Sequence, residues 1–467
     1  ASFLSRLEYK FNNRYLLTLN FRADGSSQFG PDKRWGYFPS GAVAWIITEE
    51  NFMKDYSNIV SYLKLRGSVG KTGSQNLGAY DWRTLMGSAT YNGAAGIVPS
   101  SLGNDILQWE EQIQKEVGLD YGFWDDRIRG TLGYYQKKVD NLLYSDPVPT
   151  SSSFSSVYQN IGSLKNRGIE FDVRVDIIKN VQKDLTWNVD FNIARNRTTL
   201  EKLNSSDGYF GGGAYDYFKI DDGGETGRFY GYKDAGRLFM TNEELVGLKT
   251  IDPKTGTLKY YRDDYNYERQ GDVYIMDLDG DGQITADGDR TVIGNANPDF
   301  FGGFGSTLYW KGLMLNAVFS YSVGGDRFWD EEKNSSGDMN VYNTSNRILD
   351  SWTVNPGVNA SYPRAMYYGW GSNSIITDRY IHDASYLRMT ALNLSYRLPK
   401  HLYKNSILNA VEFTFQATNL FTWTKYPGMD PQGNFSTTYS AFYNMGIDYS
   451  TYPSARTYNF GIKLTLK

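Results

Sequence analysis

Apolar and polar residues alternate one for one along much of this chain. From Thr457 to Lys467, the residues Tyr458, Phe460, Ile462, Leu464 and Leu466 share one face, while Asn459, Gly461, Lys463 and Thr465 share the other. A period of two means a strand with one apolar and one polar face. The pattern recurs where Val411, Phe413 and Phe415 oppose Glu412, Thr414 and Gln416. It recurs again where Ile169, Phe171, Val173 and Val175 oppose Glu170, Asp172 and Arg174. The same reading predicts strands at 2–10, 14–22, 35–47, 62–70, 107–123, 127–139, 166–179, 184–197, 304–310, 313–321, 386–398, 410–420 and 457–466.

The connections are predicted to alternate in length. Asn12-Asn13, Trp124-Asp125-Asp126 and Lys311-Gly312 make tight turns. Residues 73–105, 142–162, 200–299 and 324–378 lose the period and read as long excursions. Thr48–Tyr56 carries helix-capping polarity but is short. Most strands run about nine to thirteen residues, the length of a tilted membrane crossing, and short turns alternating with long loops are typical of outer-membrane barrels. The expectation is an all-β, transmembrane antiparallel barrel with about fourteen crossings in this chain. A soluble sandwich usually closes in about 100 residues.

Composition sharpens this picture. The 467 residues include 38 Tyr, 25 Phe and 11 Trp, but no Cys and only two His. Tyr and Trp favour interfaces with one wet and one apolar side. The lack of Cys excludes disulfides and thiolate metal sites. A net charge of −4 gives no sign of nucleic-acid binding. The longest apolar run, Ala42 to Ile47, is far too short for a spanning helix, whereas a barrel's lumen-facing residues interrupt every such run. The chain opens almost directly in a strand with no signal peptide, so a preceding segment with a neighbour for that strand is expected.

The sharpest local motif is Asp277-Leu-Asp279-Gly-Asp281-Gly282-Gln283-Ile284-Thr285-Ala-Asp287-Gly288-Asp289. Carboxylates at positions one, three and five, glycine at six and a main-chain carbonyl at seven are what a calcium loop requires. Gly288 stands at position twelve, where an acid is needed, and Asp289 is the candidate to close the site. Ile284 is positioned to pin the loop to a neighbour. The competing reading is a solvated turn held by Asp side chains on main-chain N–H groups. Convincing flanking helices are lacking, so a structural clip is expected rather than a sensor.

Other candidates lie in the excursions. Tyr209, Phe210 and Tyr215 flank a glycine-rich stretch, and Trp329, Trp352 and Trp370 punctuate the second long one. They are candidate contacts for a substrate or partner, the alternative being loop packing. Lys64, Arg66, Glu170, Asp172, Arg174 and Arg22 are expected to line the lumen, paired with one another or touching a plug. The acids Glu110, Glu111, Asp120, Asp125 and Asp126 fall in or beside strands, which argues against a glycosidase pair. His382 and His401 lack a nucleophile partner set, and there is no strand-to-helix phosphate loop. No redox or nucleotide cofactor is expected. The remaining alternatives are a barrel hydrolase and an adhesin or structural β-protein.

Several strings together carry a resemblance. They include Arg22-Ala-Asp-Gly-Ser-Ser-Gln-Phe-Gly30, Arg34-Trp-Gly-Tyr-Phe-Pro-Ser40 and Leu63-Lys-Leu-Arg-Gly-Ser-Val-Gly-Lys-Thr-Gly73. Others are Asp289-Arg-Thr-Val-Ile-Gly-Asn-Ala-Asn-Pro298, Ala384-Ser-Tyr-Leu-Arg388 and Ala417-Thr-Asn-Leu-Phe-Thr-Trp-Thr-Lys-Tyr426. From Phe3 onward the sequence resembles the C-terminal barrel half of SusC/RagA-type TonB-dependent outer-membrane transporters of Bacteroidetes. The resemblance implies a barrel of about 22 strands filled by an N-terminal plug that is absent from this sequence. It also implies energised import of oligosaccharides or peptides, coupling to TonB through that plug-bearing portion, and a SusD-like lipoprotein as an extracellular lid. Two features depart from the family pattern: Gly288 at position twelve of the acidic loop, and a terminus of Leu466-Lys467 rather than an aromatic.

Overall fold

In the computed structural model, the described residues are all of 1–467 except 204–208, 212–217, 222, 242, 245–249, 252–257, 260–268, 338–343, 358–359, 366–372, 374, 405–406, 434–444, 450 and 467. Thirteen long strands form one sheet. They are β1 (Ser2–Phe11), β2 (Tyr15–Gly25), β3 (Trp35–Ile46), β4 (Val60–Ser74), β5 (Glu110–Phe123), β6 (Ile128–Asp140) and β7 (Ser163–Asn180). The remainder are β8 (Leu185–Lys202), β9 (Phe300–Trp310), β10 (Leu313–Val323), β11 (Tyr386–Arg397), β12 (Leu408–Thr424) and β13 (Thr457–Leu466). Each pairs antiparallel with its neighbours in chain order, with β1 and β13 at the two ends. Every predicted strand is present, many extended by several residues.

The turns explain the order. Asn12 and Asn13 both take positive φ between β1 and β2, as do Lys311 and Gly312 between β9 and β10, the geometry that matches the twist of a tight hairpin. The segment from Thr48 is not an α-helix but two 3₁₀ turns, Ile47–Glu49 and Asn51–Tyr56. The connections at this end are tight turns except 47–59 and 398–407, which carry short 3₁₀ turns. At the other end lie 26–34 and the five long excursions 75–109, 141–162, 203–299, 324–385 and 425–456, so every excursion of more than about twenty residues emerges from the same edge.

Register carries the two-faced pattern across the whole sheet. Leu65, Leu119, Leu132, Phe171 and Ile193 stand side by side on β4 to β8. Leu308, Leu315, Leu394, Phe415 and Phe460 do the same on β9 to β13. These apolar faces are open: Val117 is 57% exposed and Phe460 81%. Water would penalise such a continuous apolar band at about 25 cal/mol per Å², and lipid would not. Among the described residues no helix is long and apolar enough to cross a membrane.

The opposite face is polar. Asn188, Thr307, Asn316, Asn393, Gln416 and Asn459 form a row across six strands. Asn393 Nδ2 donates to Asn316 Oδ1 and Asn316 Nδ2 to Thr307 Oγ1, each at 2.9 Å. Lys64 Nζ and Arg66 Nε both meet Asp120 at 3.1 Å, Arg66 also pairs with Glu116, and Asp172 accepts from Thr131. Arg22 pairs with Asp24 at 2.6 Å. The charged wall expected from sequence is therefore largely paired within itself.

Two tyrosines stitch strands together over glycines. The Tyr121 hydroxyl on β5 reaches across Gly130 on β6 to donate to the Asp172 carbonyl on β7 at 3.0 Å. The Tyr321 hydroxyl on β10 crosses Gly302 on β9 to the Asn192 carbonyl on β8 at 2.8 Å. A Cβ at either glycine would overlap both the hydroxyl and the carbonyl. Each tyrosine ring also stacks on a phenylalanine two strands away, Phe171 and Phe191 respectively.

Most of the buried apolar core lies outside the sheet, in the long excursions. One cluster gathers Phe218, Phe229, Ala296, Phe328, Ile376, Tyr380 and Ile447 from three excursions. A second gathers Tyr232, Leu238, Phe239, Val273, Ile275 and Ile284. A third, near β2 to β5, holds Phe29, Phe38, Leu77, Trp82, Leu107 and Trp109. The excursions at 75–109 and 141–162 also contain hairpins, 86–91 with 94–99 and 143–147 with 156–160. These segments are folded bodies rather than loose connections.

Candidate functional site

The acidic loop sits between two short strands, 273–275 and 290–295. Its aspartates fold it by accepting main-chain hydrogen bonds. Asp277 accepts from Gly280 N at 2.7 Å and Gly282 N at 2.8 Å, and Asp281 accepts from Gln283 N at 2.8 Å. Gly280 and Gly282 take positive φ, 76° and 81°, which side-chain-bearing residues avoid. The result brings carboxylate oxygens of Asp277, Asp279 and Asp281 within 4.8 Å of one another. Three converging hard oxygens suit a cation such as Ca²⁺.

The loop is anchored at both ends. Ile284 is buried in the second core cluster, as its position in the motif predicts. Asp289 is fully buried, and its two oxygens accept from Leu278 N and Thr285 N at 2.7 Å each. It closes the loop through the main chain and lies outside the three-carboxylate group. Gln283 is also buried, and Asp287 is exposed. A Cβ at Gly288 would overlap the Asp279 carboxylate, so glycine at position twelve makes room for a candidate ligand.

The aromatic candidates part company. Trp329 is buried with Ala384 and Tyr426, its ring meeting His382 at 5.9 Å and the Arg347 guanidinium at 4.4 Å. Trp352 packs against the second core cluster and lies over Gly271. Both occupy loop cores. Tyr209 and Phe210 belong to a short strand, Tyr209–Gly211, paired with Lys219–Asp221. Tyr215 and Trp370 lie outside the described residues.

Buried ionic knots, not foreseen from sequence, hold the excursions together. Asp272 receives Arg364 on both oxygens and Asn373 Nδ2 at 2.9 Å. Glu332 receives His382 and Arg347 at 2.6 Å and the Tyr362 hydroxyl at 3.2 Å. Asp430 receives Arg388 at 2.5 Å and the main-chain N–H groups of Gln432 and Ser454. Burial holds the carboxyl groups of Asp234 and Asp326 above the usual aspartate range, against the pull of Arg379 on the first and of the Asn295 N–H on the second. The side-chain partners of Asp272, Glu332 and Asp430 lie between 15 and 101 residues away in the chain, so no local spacing announces them.

A thirteen-strand wall with an apolar outer band, folded excursions at one edge and an acidic loop among them now stands beside known proteins. Residues 2–365 match the family described as TonB dependent receptor-like, beta-barrel.

The chain belongs to this TonB-dependent receptor family.

It is 33% identical to TonB-dependent receptor P3 of Formosa agariphila, over 99% of this chain and 45% of that protein. It is 32% identical to TonB-dependent receptor SusC of Bacteroides thetaiotaomicron, over 99% of this chain and 43% of that protein. Among solved structures, the RagAB peptide transporter is similar over 99% of this chain and 47% of that one, at 28% identity and a TM-score of 0.77. The chain spans about half the length of the curated relatives it matches. Within the TonB-dependent receptor family it is of the SusC/RagA type, matches the barrel region, and is an outer-membrane protein.

Proposed function

We propose that this chain is the C-terminal barrel portion of a TonB-dependent importer that carries peptides or oligosaccharides across the outer membrane. The observation that carries the reading is the register-matched sheet, apolar on its open face and amide- and charge-lined on the other. Lipid accepts only a closed sheet, because open edges leave main-chain groups unpaired in hydrocarbon. On this reading the wall is part of a closed barrel, and the family resemblance supports about 22 strands, with a plug and a TonB-contacting segment in the rest of the longer protein.

The excursions form the extracellular side, and residues 200–300 are its largest part. A SusD-like lipoprotein lid covers it, and Tyr209, Phe210, Tyr215 and Trp370 are the proposed contacts for lid or substrate. Trp329 and Trp352 support that surface from within. Ca²⁺ bound by Asp277, Asp279, Asp281 and the Gln283 carbonyl, with Asp289 closing the loop, clips the region in one shape. Likeness to a peptide transporter supports peptides as the first substrates to try, and likeness to SusC keeps oligosaccharides alongside them.

The test is uptake. Cells carrying the full-length transporter accumulate labelled oligopeptides or oligosaccharides, and lose accumulation when the gene is deleted or the proton-motive force is collapsed. Accumulation that survives both treatments rejects the proposal. Extraction in mild detergent should bring down a lipoprotein with the transporter.

A further inference from the structure

The outward face of the wall changes character toward the long-loop edge. On β5 the outward positions run Tyr121, Leu119, Val117 and then Lys115, and on β6 they run Leu132, Tyr134 and then Gln136. On β7 Ile169 gives way to Arg167, and on β8 Ile193 gives way to Arg195. Lys115, Gln136 and Arg167 stand side by side in register. Arg195 stands opposite Ile169, one outward position farther from the edge. Such a step is what a level line drawn across tilted strands requires.

The protein does not answer these charges. Lys115, Arg167 and Arg195 are exposed and meet no acid among the described residues. The next outward cations toward the edge are all paired: Lys71 with Glu111 at 2.6 Å, Lys138 with Asp140 at 2.9 Å and Lys165 with Glu201 at 3.5 Å. Arg197 holds both Glu225 and Asp299 at 2.9 Å. The acids are therefore engaged one step above, and the positions bordering the apolar band are left basic. Elsewhere the outward positions near this edge are uncharged. Phe21 stacks on Tyr37 across β2 and β3, and Tyr321, Leu387 and Trp423 stand in register on β10 to β12.

Beneath the basic row the wall is hollowed. Leu132, Ile169, Phe171 and Ile193 line an open hollow of about 360 Å³, bordered on the long-loop side by Arg195, Phe300 and the Arg197-bound Asp299. An apolar hollow under a basic lip suits a molecule with hydrocarbon below and an anion above. Lys and Arg side chains reach from the border of an apolar band up to headgroup level, and Arg grips phosphate oxygens with two parallel donors. Neighbouring strands lie about 4.8 Å apart, so Lys115 and Arg167 are about 10 Å apart at the main chain and their long side chains can close on one headgroup.

We propose that Lys115, Arg167 and Arg195 form a binding site for a phosphate-bearing lipid of the outer leaflet, with an acyl chain in the hollow over Ile169 and Ile193. The choice of leaflet rests on the importer reading, which puts the long-loop edge outside. The lipid contact rests on the wall itself.

The experiment is native mass spectrometry of the full transporter in mild detergent, titrated with bis-phosphorylated lipid A and with the same lipid dephosphorylated. The phosphorylated form is expected to bind, and the dephosphorylated form at least about tenfold more weakly. R167Q/R195Q should lower affinity for the phosphorylated form at least about tenfold, and K115Q by less. K138Q and K165Q, in the paired positions above, should leave it unchanged. Millimolar inorganic phosphate should not displace the lipid. An unchanged affinity in R167Q/R195Q overturns the site, as does equal binding of the two lipids. Displacement by inorganic phosphate overturns it too, by marking a free-anion site. Heat-modifiability on a gel verifies the fold of each variant, and R195Q alone carries the test if the double variant does not fold. Energised uptake is measured separately. A working importer without the lipid preference refutes the site alone, and lipid binding by a transporter that imports nothing refutes the importer reading alone.

Discussion

Asp272 and Arg364, 92 residues apart, meet in a two-pronged ion pair: Arg364 Nε donates to Asp272 Oδ1 at 3.1 Å and its NH2 to Oδ2 at 3.0 Å. The aspartate is fully buried, so the pair ties the strand before the acidic loop to the far side of the second excursion. Removing one partner of a buried pair costs about 3–5 kcal/mol, because the other charge is left stranded. R364M should speed amide hydrogen exchange around 271–276 and leave the protection of β4 to β8 intact. Exchange unchanged at 271–276 would show that Arg364 does not hold the segment.

Calcium should bind the folded transporter reversibly, with one ion per acidic loop. D277N removes both a ligand and the acceptor that folds the turn, and should lower affinity by at least about tenfold. G288A should lower it as well, because its methyl group displaces the Asp279 carboxylate. Calorimetry with a chelator control reads both. No chelator-reversible heat from the wild type would remove the metal reading and leave the loop as a self-bonded turn.

The open apolar band predicts an asymmetry between faces. V117R places a charge on the lipid side of β5 and should cost about 2–4 kcal/mol if near mid-bilayer. Q416R, on the polar row of β12, should be tolerated. The fraction of heat-modifiable folded barrel on a gel measures both. Equal tolerance at both sites would mean that the apolar band does not face lipid.

Asp430 supplies a pH dependence. Burial raises its carboxyl pKa, but Arg388 and the N–H groups of Gln432 and Ser454 outweigh this and hold it below the usual aspartate value. A depressed folded pKa means the unfolded chain binds the proton more readily. Its stabilisation is therefore present above about pH 4 and is lost as pH falls through the folded value. Limited proteolysis within 425–456 should rise in that acid window for the wild type. D430N should be cleaved readily already at neutral pH, with a flatter acid response.

The wall was legible in sequence because each strand carries its own period. For β13 the predicted and observed spans coincide at 457–466. In β9 the alternation begins only at Phe304, four residues inside the strand, since Gly302 and Gly303 carry no side chain to mark a face. Inside the sheet they make room for the Asn192 and Phe319 carbonyls. The excursions were not legible. Phe229, Phe328, Tyr380 and Ile447 meet from distant segments, so their packing leaves no periodic trace. Trp329 in isolation reads equally as a partner contact or as loop packing, and its neighbours Tyr426 and His382 place it in a loop core. Within the acidic loop, the convergence of the three aspartates could be foreseen from spacing. The two main-chain bonds of Asp289 could not, because they depend on where the chain returns.

The tyrosine–glycine clasps bear on how such a wall is put together. A strand whose outer face is uniformly greasy could slide two residues along its neighbour and still present grease to lipid. Tyr121 over Gly130 and Tyr321 over Gly302 break that degeneracy. Only one alignment sets each ring over a bare main chain with a carbonyl within reach, and a slip of two would drive the ring into a side chain. The clasps are keys cut into an otherwise repetitive zipper, one for β5 to β7 and one for β8 to β10.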